Sequence, residues 1–292
     1  MKSRRISILA AGVVLVGALS AGSGASAIEV PPLDLPLPEI SLEEVENLIG
    51  VEVPPAGVGL VTFVHFPVDV PLVIDDVPYT TLTLDVTQEE GVTTRNATPG
   101  DSDESTSAPE CSDGSYTRVG KQWHEADLPV TFAVNRASIP DYMSPWLTTR
   151  SLREAHHVWA ETNSKCNEKD AIDFSFNFIG YTNAHIGYDQ TNSIDFGPLD
   201  HPVAISYVWY TDQRIREVDM RLNTKYMWTN RAGAKRYNVK NVAAHEIGHH
   251  LGLDDLNNQH GSLTMYGLIA KGEMRKTTLG RGDVRGAQVL TP

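Results

Sequence analysis

Three histidines and a glutamate stand close together at the start of the stretch HEIGHHLGLDD, residues 245–255. On a helix, His245 and His249 differ by only about 40° of rotation and lie one turn apart, so both imidazoles can reach one metal ion. Glu246 is one residue further round, where its carboxylate reaches a water on that ion but is badly placed to be a ligand. Zn²⁺ lowers the pKa of a bound water towards about 7, and such a carboxylate can take the proton and deliver it to a leaving amine. His250 points about 100° away from His249 and is expected to be packed or solvated.

A third ligand is expected just beyond this helix. Gly252 follows His249 by three residues, where a residue without Cβ can take a positive φ and turn the chain sharply. Such a turn would bring Asp255 back to the metal, and its spacing favours it over the neighbouring Asp254. His260 remains an alternative, because histidine is a better zinc ligand than a carboxylate.

The extended motif resembles that of the metzincin zinc endopeptidases, His-Glu-x-x-His-x-x-Gly-x-x-His/Asp, and it is matched by His245, Glu246, His249, Gly252 and Asp255. The segment SLTMYG is similar to the Met-turn beneath the zinc in that clan, with Met265 as its methionine. Residues 205–228 and the segment GDVRGAQVL also resemble bacterial matrixin-like members. Aspartate as the third ligand is the snapalysin pattern. The resemblance covers most of residues 111–292 and implies that His245, His249 and Asp255 bind Zn²⁺ while Glu246 is catalytic.

The chain divides into three parts by composition. Residues 1–27 have a basic start, a short apolar run and an Ala-Ser-Ala ending, which predicts a signal peptide and a secreted, extracellular protein. Whether export is general or uses a twin-arginine signal stays open. Residues 28–110 hold 11 of the 17 prolines, and residues 1–110 hold 17 of the 37 acidic residues but only 4 of the 24 basic ones. We interpret residues 28–110 as a removable pro-segment or a retained accessory region, ending in a linker over residues 87–110.

Residues 111–292 are predicted to form an α+β metalloprotease catalytic domain. Alternation predicts strands over residues 128–135, 172–180, 203–210 and 214–223, the last two joined by the polar turn at residues 211–213. A helix is expected to start near Pro145, with Trp146, Leu152, Ala155 and Trp159 on its apolar face. The resemblance implies a metzincin-type domain with a twisted mixed sheet, a long first helix, an active-site helix, a Met-turn and a short C-terminal helix.

Two cysteines in an exported chain predict one disulfide, between Cys111 and Cys166. Some matrixin pro-segments instead silence the zinc with a cysteine thiolate. The surroundings of Cys111, PECSDGS, do not match the PRCGxPD sequence of that family switch, although the alternative stays open here.

The resemblance also implies that further metals, a structural Zn²⁺ or Ca²⁺, could bind in the loop before the edge strand. That loop carries donor side chains but does not match the family's metal-binding loop residue by residue: His185, Asp189, Asp195, Asp200 and His201.

The sequence therefore predicts a secreted zinc endopeptidase acting on proteins or peptides, with substrate lying along an edge strand at residues 203–210. Nothing basic is concentrated enough to suggest nucleic acid, and no stable membrane association is expected. The sequence does not fix the oligomeric state. Two other classes remain open: an exported metal-binding or adhesion module without catalysis, and a zinc hydrolase acting on something other than protein.

Overall fold

The computed structural model describes residues 42–52, 54–69, 71–74, 77–87, 91–99, 109–233 and 235–292. The expected signal peptide, residues 1–27, lies outside these residues. The helices in the described part are α1 (Leu42–Ile49), α2 (Pro145–Ala160), α3 (Val239–Leu251) and α4 (Arg281–Leu290). The strands are β1 (Gly59–His65), β2 (Leu72–Ile74), β3 (Val77–Thr87), β4 (Gly91–Pro99), β5 (Val130–Asn135), β6 (Phe176–Thr182), β7 (Ser193–Gly197), β8 (Ala204–Thr211), β9 (Arg214–Asn223), β10 (Trp228–Thr229) and β11 (Tyr237–Asn238).

One mixed sheet organises the molecule. Its strand order is β2-β3-β1-β8-β9-β7-β5-β6, with β4 paired to β3, while β10 and β11 form a separate parallel pair. Neighbours from β9 to β6 are parallel, and the remaining pairs are antiparallel. A mixed sheet with separate helices confirms the expected α+β class, and the predicted turn between β8 and β9 is present.

The N-terminal region contradicts two expectations. Residues 91–99, part of the run predicted to be a linker, form β4, which pairs with β3. A strand at the edge of an existing sheet needs no apolar core of its own, which the reasoning from composition overlooked. Residues 203–210 were predicted to contain an edge strand, but β8 is an interior strand because β1 pairs with it from Gly59 to His65.

Helix α2 begins where the sequence predicts. Ser144 caps it by accepting a hydrogen bond from the Leu147 amide, and Pro145 occupies the first turn, where a missing N–H costs nothing. Trp159 is fully buried and donates its indole N–H to Ala244 of α3 at 2.7 Å, which ties the two helices together. The prediction for Trp146 is wrong, since its side chain is 62% exposed.

The aromatic run before β6 is less regular than predicted. Ile172 and Phe174 are buried, but they precede the strand, which starts only at Phe176. Phe176 and Phe178 are half-buried and pack against the main core. The side chains therefore face the core as expected, although only part of the segment pairs with the sheet.

Cys111 and Cys166 form a disulfide that links the start of the domain to the segment after α2. This confirms the predicted pairing and excludes a free thiol at either position. Among the residues that the structure describes, none of the helices combines the length and apolarity needed to cross a bilayer.

Candidate metal centre

Helix α3 carries the histidine motif and is held at both ends. Asn238 caps its start by accepting a hydrogen bond from the Asn241 amide at 3.0 Å. Gly252 ends it with φ of 107°, and an added Cβ would lie 2.4 Å from the carbonyl oxygen of Lys121. Both the backbone conformation and the close approach require glycine here. The chain therefore turns sharply after the helix, as the sequence predicts.

The two motif histidines present their Nε2 atoms to one point. His245 Nδ1 lies 2.7 Å from the carbonyl oxygen of Thr264, and His249 Nδ1 lies 3.0 Å from that of Leu253. A carbonyl oxygen only accepts, so each Nδ1 carries the hydrogen and each neutral ring keeps its Nε2 lone pair free to bind a metal. The two Nε2 atoms are 3.2 Å apart.

Asp255 joins these histidines, and so does a residue the sequence reasoning missed, His65 at the end of β1. The Asp255 Oδ1 atom lies 3.2 Å from His245 Nε2 and 3.7 Å from His249 Nε2. The His65 Nε2 atom lies 2.9 Å from His245 Nε2 and 3.3 Å from Asp255 Oδ1. All four side chains are buried, and nothing in the local sequence around His65 signals this role.

The spacing of these four atoms fits a tetrahedral zinc ion. Zinc–nitrogen bonds of about 2.05 Å place neighbouring ligand atoms about 3.3 Å apart in a regular tetrahedron. Five of the six separations, given above, scatter around that value, and all four atoms lie within 4.8 Å of one another. Three imidazoles and one carboxylate are also a ligand set that suits zinc. The residues present therefore fit a bound zinc ion.

Glu246 lies beside this cluster and points towards His65. Its Oε1 atom is 3.0 Å from His65 Nδ1, and its Oε2 atom accepts a hydrogen bond from the Ser206 hydroxyl of β8 at 2.7 Å. Ser206 thereby fixes the orientation of the carboxylate, and one of its oxygens remains directed at the metal-binding cluster.

Burial and the neighbouring charges shift the pKa values of the clustered side chains in opposite directions. Burial alone would raise the pKa of Glu246, but the neighbouring His65 imidazole lowers it to about 2. Burial alone would lower the pKa of His65, but the carboxylates of Glu246 and Asp255 raise it to about 10. Burial lowers the pKa of His249 to about 3, which keeps that imidazole neutral. The two buried carboxylates therefore need a positive charge beside them, from either a protonated His65 or a divalent cation.

The predicted Met-turn lies against α3. Met265 is buried, and an added Cβ on Gly248 would come within 2.1 Å of its sulfur, so glycine is needed for this close packing. The turn is fixed by the buried carboxylate of Asp283, which accepts hydrogen bonds from the amides of Thr264 at 2.8 Å and Met265 at 3.0 Å.

A buried lysine that the sequence analysis did not single out also supports the Met-turn. Lys276 donates hydrogen bonds to the carbonyl oxygens of Thr264, at 3.0 Å, and Tyr266. Burial lowers the pKa of Lys276 to about 8. Because Thr264 also accepts from His245, the lysine helps to orient a histidine of the candidate metal centre.

The remaining histidines and acids of the motif region lie elsewhere. His260 Nδ1 pairs with Asp113 Oδ2 at 2.9 Å, outside the cluster. Asp254 accepts a hydrogen bond from the Thr83 hydroxyl at 2.8 Å. His250 is buried, and its Nε2 lies 3.1 Å from the carbonyl oxygen of Asp219. Of the candidates for a third ligand from this region, the structure brings only Asp255 to the two histidines.

The loop considered for additional metals is held by protein contacts instead. Asp195 is buried and binds the Arg221 guanidinium through both oxygens, at 2.8 and 2.6 Å, with His185 at 2.9 Å. Asp200 pairs with Lys225 at 3.0 Å. Within the described residues, the cluster of His65, His245, His249 and Asp255 is the group in which at least three potential metal ligands lie close together.

Comparison with known proteins agrees with this geometry. The family model described as Matrixin matches residues 122–291, which is more than half of the chain and includes the whole motif helix and Met-turn. No curated protein matches the chain at a significant level. The N-terminal strands β1 to β4, including His65, lie outside the matched residues. This chain belongs to the matrixin family of metallopeptidases.

Proposed function

We propose that the protein is a secreted zinc-dependent endopeptidase that hydrolyses peptide bonds in proteins. His245, His249 and Asp255 bind the zinc ion, and Glu246 is the catalytic residue. The observation that carries the proposal is the convergence of the His245, His249 and Asp255 ligand atoms beside the Glu246 carboxylate in a buried site of a matrixin.

Each residue has a separate task in this reaction. Zinc, when bound, supplies Lewis acidity that polarises the scissile carbonyl and makes a water more acidic. Glu246 takes the proton from that water and delivers it to the leaving amine. Ser206 holds the carboxylate in place through its hydrogen bond to Oε2. Thr264 and Leu253 hold the two imidazoles through their carbonyl oxygens.

In the mature enzyme, after β1 has left β8, the substrate would pair with β8 as an extended strand in the place of β1. Main-chain pairing holds any extended peptide regardless of its side chains, which suits an enzyme that acts on proteins. Ser206 on β8 contacts Glu246 directly, so a peptide paired with this strand runs past the catalytic carboxylate.

We further propose that residues 1–27 direct export and that residues 28–110 are a pro-segment removed from the mature enzyme. The start of the family match at residue 122 supports a catalytic unit that begins after this region. N-terminal sequencing and intact mass of protein recovered from culture medium test both points. A start near residue 28 would show a retained accessory region.

Hydrolysis of labelled casein by the protein from culture medium, with and without a chelator, tests the enzymatic proposal. Glu246→Gln should lower the rate by about 10²–10⁴-fold, the usual contribution of a general base, while the zinc content stays unchanged. Glu161→Gln, which changes an exposed carboxylate paired with His157, is the control and should retain full activity. Full casein hydrolysis by Glu246→Gln would refute the assigned role.

A further inference from the structure

The N-terminal strand β1 occupies the position on β8 that a peptide substrate needs. Seven residues pair antiparallel with β8, from Gly59 opposite Tyr210 to His65 opposite Ala204. All seven are buried. While β1 is in place, the backbone groups of β8 are committed to this pairing and are closed to another strand.

Alternation along β1 directs one of its faces at the metal centre. The Phe63 ring stacks on the His249 imidazole with ring centroids 3.8 Å apart, and His65 follows two residues later on the same face. Leu60 and Val64 face the other way, into a second apolar cluster. The register of β1 on β8 therefore determines that a histidine, rather than a neighbouring residue, reaches the metal ligands.

His65 engages both working parts of the centre at once. Its Nε2 atom lies among the metal-binding atoms, 2.9 Å from His245 Nε2, while its Nδ1 atom lies 3.0 Å from Glu246 Oε1. A zinc ion with four protein ligands has no open position, as in structural zinc sites, whereas a catalytic site keeps one position for water or substrate. The contact with Glu246 also occupies the group that would activate the water.

We propose that residues 59–65 are a built-in inhibitory strand, in which β1 fills the substrate position on β8 and His65 is the fourth ligand of the metal. Both cysteines are consumed in the disulfide, so within the described chain a histidine fills the position for which a thiolate was considered. The inference rests on the proposed function in taking the metal to be the catalytic one.

β1 also pairs with β3 on its other side, and further contacts tie β3 and α1 to β8. The Tyr210 hydroxyl donates to Asp85 Oδ1 of β3, and the Tyr207 hydroxyl donates to the carbonyl oxygen of Ile49, both at 2.5 Å. Because these contacts do not involve the His65 side chain, a substitution there should open one metal position and leave the strand on β8. The effect of His65 can thus be measured in the full chain.

The test compares the full-length wild type with His65→Ala, loaded with Zn²⁺ or with Co²⁺ as a spectroscopic substitute. Val64→Ala is the matched control, because it removes a buried side chain from the same strand on the face opposite the metal. We expect His65→Ala to change the visible Co²⁺ spectrum and to raise the zinc dissociation constant at least about tenfold, since even indirect partners of metal ligands contribute that much. Acetohydroxamate, a small metal ligand, should alter the Co²⁺ spectrum of His65→Ala and leave the wild type and Val64→Ala unchanged.

An unchanged spectrum and zinc affinity in His65→Ala, or an equal response of the wild type to acetohydroxamate, would overturn the proposal. If His65→Ala does not fold, His65→Phe keeps a flat ring at this position without a nitrogen and is subject to the same criteria. Neither readout uses a peptide. If protein freed of residues 28–110 binds zinc but never cleaves casein, the proposed function is refuted, while the assignment of His65 as a metal ligand in the full chain still stands.

Discussion

Gly252 links the motif helix to Asp255, and its replacement by alanine tests the turn that assembles the metal centre. Two costs are expected. An L residue is strained by about 1–2 kcal/mol in the left-handed region, and the φ here is 107°. The added Cβ would also lie 2.4 Å from the Lys121 carbonyl oxygen, which is backbone and cannot rotate away. Overpacking of this kind costs about 1–3 kcal/mol, so Gly252→Ala should lower the free energy of unfolding by about 2–5 kcal/mol.

Gly180 provides a matched control for the backbone term alone. Its φ is 112°, close to that of Gly252, but nothing lies within 4 Å of an added Cβ. Gly180→Ala should therefore cost only about 1–2 kcal/mol. The difference between the two losses in free energy of unfolding measures the cost of the clash with the Lys121 carbonyl oxygen.

Urea denaturation followed by circular dichroism measures both free energies, and zinc content is determined on the same samples. We expect Gly252→Ala to lose zinc affinity as well as stability, because Asp255 follows the displaced turn by only three residues. If Gly252→Ala is no less stable than Gly180→Ala and binds zinc as the wild type does, the reasoning about this turn is wrong.

Three further predictions concern the elements around the site. Asn238→Ala removes the cap of α3 and should lower the free energy of unfolding in urea by about 1 kcal/mol. Asn238→Asp keeps an oxygen acceptor at this position and should retain most of the wild-type stability. Burial alone would raise the pKa of Asp127, but hydrogen bonds from Arg214 hold that pKa below its usual range. The pair therefore stabilises the fold above about pH 4 and less as the pH falls through the lowered pKa, so Arg214→Gln should lose stability at neutral pH but not in strong acid. Replacing both Cys111 and Cys166 by serine opens a loop with a sequence separation of 55. The free energy of unfolding, measured in urea, should fall by about 4 kcal/mol. An unchanged urea midpoint would contradict this.

Much of the catalytic part could be predicted from sequence because the decisive signals are local. The spacing of His245 and His249 depends only on helical rotation, and Gly252 marks the turn within the same short segment. The strand pair β8 and β9 follows from alternation and a polar turn. The exposed Trp146 shows the limit of such patterns, because periodicity does not reveal where a helix extends beyond its neighbours.

The sequence by itself predicted the helix, the proposed base Glu246 and the candidates for a third ligand. Tertiary structure brought Asp255 to the histidines and placed His260 with Asp113. Only tertiary structure revealed His65, which is 180 residues from His245 in the chain. The sequence of a strand does not indicate which strand it will pair with. A shift of one residue in the register of β1 would turn His65 away from His245. Helical spacing depends only on the segment itself, whereas the position of His65 beside His245 depends on the pairing of β1 with β8, two strands far apart in the chain.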